Sequence, residues 1–372
     1  MFIKELTAKN FRNYGSLAIS FTPGINFIIG NNGVGKTNIL EAVSIASNIK
    51  TFRNIHDSEI IKWNEDSYYC SAVIGESDDR IFEVGCTLFQ DKIKKRLKID
   101  GKEIKSAGDY YGRFLTVTLS PIDINIVNGA PEARRRFFDS VISKIDASYF
   151  ETLNEFKKIL VSRNRILKEI KINNISRNQL DVWDAMFSER AHTIAGKRYT
   201  FVERFNGVFR EYYGNIAERD DPPRIEYDCT TGRDDAAGIL QQLQKSRPRD
   251  ILLGSTGIGP QRDDFILENG SGNRFINYAS QGQRRTAAVT LKIAECILIE
   301  EEMGKKSVIL VDDIFSELDE KRRSKMIDIL RRGNQIIFTM VHFNPEKLHK
   351  FGTYRGFYVE AGGLIKELSS GQ

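Results

Sequence analysis

Short apolar and polar runs alternate through the first third of the chain and predict β-strands. Segments such as FIKELTAKN, LAISF, YYCSAVIG and IFEVGCTLF place apolar residues at every second position, and turn sequences such as TPG and DGK separate them. One helix interrupts the strands, because TNILEAVSIASNIK carries Ile39, Leu40, Val43, Ala46 and Ile49 at helical spacing. That predicted helix begins directly after a glycine-rich loop.

From about residue 131 the pattern changes to charged sequence with helical periodicity and few glycines. It runs through EARRRFFDSVISKI, SYFETLNEFKKILVSRNRILKEI and DVWDAMFSERAHTIAGKRYTFVERF. The polar stretch KINNISRN interrupts the apolar period and is expected to form a turn between two long helices. The pattern therefore predicts a helical arm, which ends where ERDDPPRIEY and TTGRDDAAG indicate loops and a return to strands.

Strands and helices alternate again in the last third. The apolar runs KSVILVDD and GNQIIFTMVH flank the helical segment SELDEKRRSKMIDILRR, which is typical of a buried parallel sheet. The sequence thus predicts an α/β fold in which both ends of the chain build one domain around a helical insertion. The expected boundaries are 1–130 and 248–372 for the α/β domain and 131–247 for the arm.

Composition narrows the class of protein. The 372 residues are 41% hydrophobic and 28% charged, as in ordinary soluble globular proteins, and there is no apolar run long enough for a membrane span. The first residues, MFIKELTAKN, lack the pattern of a secretory signal. The cysteines, Cys70, Cys86, Cys229 and Cys296, are widely spaced and indicate neither a zinc site nor a disulfide framework. We therefore expect a cytoplasmic protein.

Positive charge is unevenly distributed although the net charge is only +5. Basic residues cluster in KIKKRLK (92–98), RRR (134–136), KKILVSRNRILKEIK (157–171), KSRPR (245–249) and KRRSK (321–325). Any one cluster could be a solvated face, but their recurrence favours a polyanionic partner.

The strongest chemical motif is GNNGVGKT, which fits G-x-x-x-x-G-K-[ST], follows the apolar run INFIIG and opens a helix. In such a loop backbone N–H groups converge on phosphate oxygens, the lysine bridges the β- and γ-phosphates, and the hydroxyl ligates Mg²⁺. The predicted nucleotide-binding residues are Gly30, Asn31, Asn32, Gly33, Val34, Gly35, Lys36 and Thr37.

A phosphate loop of this kind needs a carboxylate for the metal, and SVILVDD supplies one at the end of an apolar strand. Asp312 is predicted to associate with Mg²⁺, together with Thr37, and Asp313 follows it. The alternative is a strand that simply ends in solvent-facing acids. With the phosphate loop in the same chain, the sequence favours a nucleoside triphosphatase that uses ATP and Mg²⁺.

Three further segments resemble motifs of ABC-type ATPases and occur in the same order. ASQGQ (279–283) resembles the signature motif, SELD (316–319) resembles the D-loop, and His342 ends the next strand where the switch histidine lies. Taken singly, Ser280 could be an ordinary helix cap and His342 a structural residue. Their order and spacing favour the ABC class.

Within that class the chain resembles the RecF recombination-mediator family, related to the SMC and Rad50 proteins. The resemblance lies in LTAKNFRNY, SPIDINIVNGAPEARRRFFD, GPQRDDF and LVDDIFSELD, which are spread over nearly the whole chain. The short arm also suits this family, whereas Rad50 and SMC arms are several times longer. The Cys-x-x-Cys of a Rad50 zinc hook does not occur.

The resemblance implies an ATP-dependent homodimer in which the signature motif of one subunit faces the ATP of the other. Ser280, Gly282 and Gln283 are expected to contact the γ-phosphate of the partner's ATP, and Arg12 of NFRNY is expected near the nucleotide phosphates. A surface position in a turn is the alternative for Arg12.

The expected catalytic residues are Asp313 and His342. Related ATPases usually carry glutamate after the metal-associated aspartate, so the shorter Asp313 predicts slow hydrolysis, suited to a conformational timer. No glutamine of the Q-loop type is found, and TLSPIDIN offers Asp123 and Asn125 in that region.

The family also implies binding to DNA at single-strand/double-strand gap boundaries and loading of RecA together with RecR and RecO. The sequence itself supports electrostatic contact with phosphates, without base readout, through the arm. The candidate DNA-binding residues are Lys157, Lys158, Arg163, Arg165, Lys168 and Lys171.

Three other functions compete with a DNA-acting mediator. The ATPase subunit of a membrane transporter would lack the helical insertion, and the signature region argues against a small-molecule kinase. An ABC-type ATPase of the SMC/Rad50 kind that acts with a nuclease partner is the closest alternative.

Overall fold

The computed structural model describes residues 1–53, 55–90, 92–218, 221–314, 319–331, 335–341, 353–360, 363 and 365–369. Most of the predicted D-loop, residues 316–318, and the predicted switch residue His342 lie outside these ranges.

The described strands follow the apolar runs of the sequence. In chain order they are β1 (Phe2–Phe11), β2 (Tyr14–Ser20), β3 (Ile25–Ile29), β4 (Ser67–Gly75), β5 (Arg80–Phe89), β6 (Lys92–Ile99), β7 (Lys102–Ile104), β8 (Thr116–Leu119), β9 (Arg224–Asp228), β10 (Asp264–Glu268), β11 (Val308–Asp312), β12 (Ile336–Met340), β13 (Tyr354–Val359) and β14 (Ile365–Ser369).

The described helices are longest in the middle of the chain, where helical periodicity was strongest. They are α1 (Lys36–Asn48), α2 (Asp57–Ile60), α3 (Ala107–Tyr110), α4 (Ile124–Asn128), α5 (Pro131–Ile145), α6 (Ala147–Asn173), α7 (Leu180–Ala217), α8 (Ala236–Leu253), α9 (Gln281–Met303) and α10 (Glu320–Leu330). Within the described ranges, no helix is both long enough and apolar enough to cross a membrane.

The chain forms two units, and both ends of the sequence build the first of them. The head unit comprises Met1–Ile124 and Gln281–Gln372, and the inserted unit comprises Asn125–Ser280. The insertion therefore extends to Ser280 instead of ending at the predicted residue 247. It does so because β10 pairs with β9, and Phe265 of β10 stacks on Phe138 of α5 at a centroid distance of 4.2 Å.

One sheet of the head unit is antiparallel, in the order β2-β1-β4-β5-β6-β7. Successive side chains of a strand point to opposite faces, so alternate residues enter the core. They include Leu6 and Ala8 of β1, Cys70 of β4 and Val84 of β5. The residues between them form the opposite, outer face. Helix α1 packs on the inner side of this sheet.

The second sheet of the head unit has the order β14-β13-β3-β12-β11-β8. All its neighbouring strands are parallel except β14, which is antiparallel to β13. Every residue of β3 and β11 is buried, as expected for a parallel sheet covered on both faces. Because parallel strands end at the same edge, the carboxyl ends of β3, β12 and β11 lie side by side.

The inserted unit packs aromatic side chains between its helices and the β9–β10 pair. Phe138 of α5 contacts Phe201 and Phe205 of α7, and Phe265 is also stacked with Tyr227 of β9 at 5.0 Å. These aromatic residues are buried and join α5, α7 and the β9–β10 pair.

Buried arginine–aspartate pairs lie beside this aromatic core. Arg134 makes a bidentate contact with Asp264, with N···O distances of 2.7 and 2.8 Å. Arg198, which is 1% exposed, pairs with both Asp139 and Asp263. The passages PEARRRFFD and GPQRDDF, distant in sequence, are therefore joined by charge pairs as well as by the stacked rings.

We predict that Phe265→Ala lowers the free energy of unfolding by about 3–5 kcal/mol, because it removes a fully buried ring from between two others. Urea denaturation followed by the fluorescence of Trp183 measures this in the inserted unit, with Trp63 of the head unit replaced by Phe. The control Leu253→Ala removes a side chain that is 57% exposed and should change stability by less than about 0.5 kcal/mol. Equal effects of the two changes would contradict the assignment of this core.

Candidate nucleotide site

The predicted phosphate loop connects β3 directly to α1. Strand β3 ends at Ile29 and α1 begins at Lys36. At Gly30 a Cβ atom would collide with the carbonyl oxygen of Val359 on β13, so only glycine permits this close approach. The loop therefore leaves the sheet at its carboxyl edge and directs the amino end of α1 toward that edge, the arrangement that favours an anion.

The turn between β1 and β2 supports this loop through contacts that sequence analysis missed. Asn13 Nδ2 donates to the Val34 carbonyl at 3.0 Å, and Tyr14 Oη donates to the Gly35 carbonyl at 3.2 Å. Gly35 has φ = 111°, and a Cβ there would lie only 2.6 Å from Asn13 Nδ2. The third glycine of the motif is thus required both by its backbone conformation and by the neighbouring hairpin.

The ammonium group of Lys36 is held inside the loop. Its Nζ donates to the carbonyls of Gly30 at 2.9 Å and Asn31 at 2.8 Å, and the residue is only 7% exposed. Burial lowers the pKa of Lys36, whereas the nearby carboxylates of Asp313 and Asp312 act in the opposite direction. A cation partly removed from water in this position is suited to binding phosphate oxygens.

Asp312, at the end of β11, connects the loop with two strands of the sheet. Its Oδ1 accepts hydrogen bonds from Thr37 Oγ1 and from Thr339 Oγ1 of β12, both at 2.8 Å. The predicted metal residues Thr37 and Asp312 are therefore in direct contact. A hydroxyl and a carboxylate oxygen at a phosphate loop are the hard ligands that Mg²⁺ prefers, so these residues fit the ion. Thr339 was not predicted.

Asp313 lies next to this pair with an exposed side chain. Its backbone N–H donates to Thr339 Oγ1 at 3.1 Å, and its φ of 45° is in the left-handed region. Partial desolvation of the carboxyl group and the neighbouring charge of Asp312 raise the pKa of Asp313, while Lys36 opposes the shift. Lys36, Thr37, Asp312 and Asp313 thus form one cluster at the sheet edge.

Arg12 is adjacent in sequence to the residues that support the loop, but its guanidinium group has other partners. Nε and Nη2 donate to the carboxylate of Glu41 on α1 at 3.0 and 3.3 Å, and Nη1 donates to the Glu59 carbonyl at 2.9 Å. Glu41 is fully buried and also accepts a hydrogen bond from Thr51 at 2.6 Å. In this structure Arg12 therefore holds the hairpin to α1, and its predicted contact with phosphates stays a prediction.

The predicted signature residues lie at the amino end of α9, as the motif requires. The helix begins at Gln281, immediately after the exposed Ser280, and its first turns contain Gly282 and Gln283, both half-buried. Downstream residues of α9, from Thr286 onward, are mostly buried. This places the amino terminus of a well-anchored helix at the motif, with a field suited to a phosphate.

The segment that follows β8, where a Q-loop glutamine would be expected, packs against the same helix. Pro121 and Asp123, which follow β8, line a small pocket together with Val289 of α9 and Ile314, the residue after Asp313. Burial raises the pKa of Asp123 to about 6, although the nearby ammonium of Lys292 works against the shift. The segment after β8 therefore contacts both the signature helix and the end of β11.

The predicted DNA-binding residues of α6 do not all lie on one surface. The exposed members are Lys157, Lys158, Arg165, Lys168 and Lys171. Arg163 is fully buried and pairs with Asp184 and Asp250 at 2.6 and 2.9 Å, so its prediction as a DNA contact is wrong. The sequence contained the signal, since Arg163 continues the helical series of Phe156 and Ile159 toward the core.

Comparisons of the sequence place the chain among known proteins. Residues 2–365 match the family described as RecF/RecN/SMC N terminal domain. The chain is 36% identical over 341 residues to the DNA replication and repair protein RecF of Leptospira interrogans, covering 91% of each protein. It is 34% identical to the RecF of Thermoanaerobacter pseudethanolicus, covering 99% of this chain and all of that protein.

Comparisons of the structure agree with these relatives. The recombination mediator protein RecF, solved with ATP, superposes with a TM-score of 0.88 at 31% identity, covering 99% of both chains. The Smc head domain of Pyrococcus furiosus has a TM-score of 0.54 at 16% identity and shares the fold, covering 99% of this chain and 96% of that one. The predicted fold class is confirmed: an ABC-type ATPase head built from both ends of the chain, with an inserted helical unit.

We predict that Lys36→Ala weakens ATP binding by about 100-fold or more, because the phosphates lose their buried cation. Isothermal titration with ATP and Mg²⁺ measures the affinity, and thermal melting confirms that the variant is folded. The control Lys50→Ala removes an exposed lysine just beyond the other end of α1 and should bind ATP as the parent does. Unchanged affinity of the Lys36 variant would refute the assignment of the phosphate loop.

Proposed function

Because the chain belongs to the RecF family, we propose that it is an ATP-dependent DNA-binding protein that acts in replication-linked repair. The observation that carries the proposal is the convergence of Lys36, Thr37 and Asp312 at the carboxyl edge of the parallel sheet. In this proposal the converging residues bind ATP and Mg²⁺ in the head unit.

Each residue of the site has a distinct task. Backbone N–H groups of the loop surround the phosphates, and Lys36 neutralises their charge. Thr37 and Asp312 would hold Mg²⁺, and the ion would supply positive charge to the phosphates of the nucleotide. Thr339 fixes the orientation of the Asp312 carboxylate through their 2.8 Å hydrogen bond.

ATP joins two copies of the chain in this proposal. The amino end of α9 faces the γ-phosphate held by the partner subunit, through Ser280 just before the helix and Gly282 and Gln283 in its first turn. Support comes from the exposed position of Ser280 at the start of a helix that is otherwise firmly anchored. A bulky side chain at this position would occupy the space of the partner's phosphate without affecting the chain's own loop.

Hydrolysis uses Asp313 as the general base, with His342 as the second catalytic residue. A base must come within about 3 Å of its water, and the aspartate side chain is one methylene shorter than the usual glutamate. Slow, DNA-stimulated hydrolysis that times the lifetime of the dimer is therefore proposed, in contrast to the rapid cycles of a pump.

DNA is the macromolecular ligand, bound at single-strand/double-strand gap boundaries in the cytoplasm. Support comes from the exposed lysines and Arg165 of α6 and from relatives that carry the name DNA replication and repair protein. The solved relative is described as a recombination mediator of the RecFOR pathway. We extend that role to this chain, with RecR and RecO as partners and RecA loading as the outcome.

Ser280→Arg separates ATP binding from assembly. We expect the variant to bind ATP with the parent's affinity and to remain monomeric in ATP and Mg²⁺, because the arginine occupies the position of the partner's γ-phosphate. Light scattering with and without ATP measures the mass. Ser271→Arg changes another exposed serine, in the loop after β10, and should dimerise normally. Normal dimerisation of the Ser280 variant would exclude the proposed sandwich.

Asp313→Asn tests the general base. The substitution keeps the size of the side chain, and asparagine tolerates the left-handed backbone conformation at this position. We expect ATP binding to persist while the rate of hydrolysis falls by about 100-fold or more. Phosphate release measured at saturating ATP gives the rate. Hydrolysis at the parent rate would show that another group acts as the base.

A further inference from the structure

The outer face of the antiparallel head sheet carries aromatic and cationic side chains that the proposed nucleotide site does not use. The alternation along β4, β5 and β6 sends Tyr68, Val84 and Leu97 into the core and the intervening residues outward. We call the resulting surface the outer sheet face, defined by Lys9, Tyr69, Phe89, Lys92, Lys94 and Arg96.

Strand register places these residues in neighbouring rows. One row runs across four strands as Lys9, Tyr69, Gly85 and Arg96. Gly85 leaves open space beside Tyr69, because a Cβ there would have no atom within 4 Å. The row therefore presents an aromatic ring and a flat gap between two cations.

The neighbouring rows, toward one end of the sheet, also carry aromatic rings and cations. Thr87 pairs with Lys94, and Phe89 pairs with Lys92. Phe89 is 69% exposed, an unusual state for a phenylalanine in a strand. Trp63, which is 90% exposed, lies in the turn before β4, and this turn reaches β5 through a hydrogen bond from Leu88 N to the Asp66 carbonyl. Exposed rings and cations thus share one end of the sheet.

The cations of the outer sheet face, Lys9, Lys92, Lys94 and Arg96, have no ion-pair partner among the residues that the structure describes. By contrast Lys95, on the inner side of β6, pairs with Asp57 at 2.7 Å. Lys98 is left out of the defined face because the register places it between Glu83 and Glu103.

Two acidic groups beside these cations already accept hydrogen bonds. Glu83 accepts a hydrogen bond from Tyr69 Oη at 2.6 Å, and Glu65 of the Trp63 turn accepts one from Asn10 at 2.8 Å. Glu5 lies on the same strand as Lys9 but four residues away, opposite Val73, at the other end of the face. Counted over the described residues, the rows that contain Phe89 and Arg96 therefore have excess positive charge.

We propose that the outer sheet face binds single-stranded DNA. Tyr69 and Phe89 stack on unpaired bases, Gly85 makes room for a base beside Tyr69, and Lys9, Lys92, Lys94 and Arg96 contact the phosphates. The proposal rests on the proposed DNA function and specifies which part of a gap the head unit recognises.

Physical chemistry favours a single strand over a duplex at this surface. Stacking needs exposed base faces, which a duplex hides, and a sheet that combines outward rings with cations offers stacking and backbone neutralisation together. Because every base has a stacking face, binding is independent of sequence. An acidic protein segment would also be attracted by the cations, and the stacking variants described below distinguish the two occupants.

The first test removes charge. We expect Lys94→Ala/Arg96→Ala to weaken binding of a fluorescently labelled 30-nucleotide single strand in ATP and Mg²⁺. Its affinity should also depend less on salt, with the slope of log K against log[salt] reduced by about 1.4 for two lost phosphate contacts. The matched control Lys245→Ala/Arg249→Ala removes two exposed cations from α8 and should leave both quantities unchanged.

The second test removes a ring and keeps the charge. Phe89→Ala should weaken single-strand binding by about 5-fold or more, while Phe89→Trp should restore it. Phe89 is mostly exposed, so neither change should alter the melting temperature or the ATP affinity. Binding of a 30-base-pair duplex should stay at the parent level in both variants.

The outcomes separate this inference from the proposed function. If the parent binds duplex but not the single strand, or if Phe89→Ala and the Lys94/Arg96 variant bind the single strand as the parent does, the outer sheet face is not the site. If loss of the ring has no effect while loss of charge does, the surface is a general polyanion or protein contact and the stacking proposal fails. If the parent binds neither form of DNA, the proposed function fails as well.

Discussion

The carboxylate of Asp312 is the contact on which the nucleotide site depends. Its Oδ1 receives a hydroxyl from Thr37, the second residue of α1, and another from Thr339 of β12. Three segments distant in sequence are thereby fixed at one sheet edge. The parallel order of β3, β12 and β11 makes this possible, because it brings their carboxyl ends together. Displacement of any one strand would disturb the phosphate loop and the predicted metal ligands, Thr37 and Asp312, at the same time.

The inserted unit is held together by a different kind of interaction. Arg163 and Arg198 are both buried, and each forms ion pairs with two aspartates. Their charges are therefore compensated inside the unit. Loss of one member would leave a buried charge without its partner, at a cost of about 3–5 kcal/mol. Such pairs require specific neighbours, whereas purely apolar packing tolerates many arrangements. The charges of this unit therefore serve its interior as well as its surface.

Sequence reasoning predicted the parts of the site that follow from local pattern. A strand, a glycine-rich loop and a helix identify Gly30 to Thr37, and an apolar run ending in two acids identifies Asp312. Asn13 and Thr339 were missed because their roles depend on which strands become neighbours, which one sequence does not reveal. Arg163 was wrongly predicted to contact DNA because it belongs to a cluster of basic residues. A helix that carries such a cluster also has a buried side, and Arg163 lies on it.

The left-handed backbone at Asp313 constrains how this ATPase can be altered. Aspartate and asparagine adopt a φ of 45° more readily than residues with longer side chains. The short acid at this position is thus matched to the turn that carries it. Replacing Asp313 with glutamate would lengthen the acid by one methylene but would strain the backbone next to Asp312, the predicted metal ligand. If Asp313 is the general base, the proposed slow hydrolysis and the local backbone geometry have the same origin, so a faster variant needs a redesigned turn as well as a longer acid.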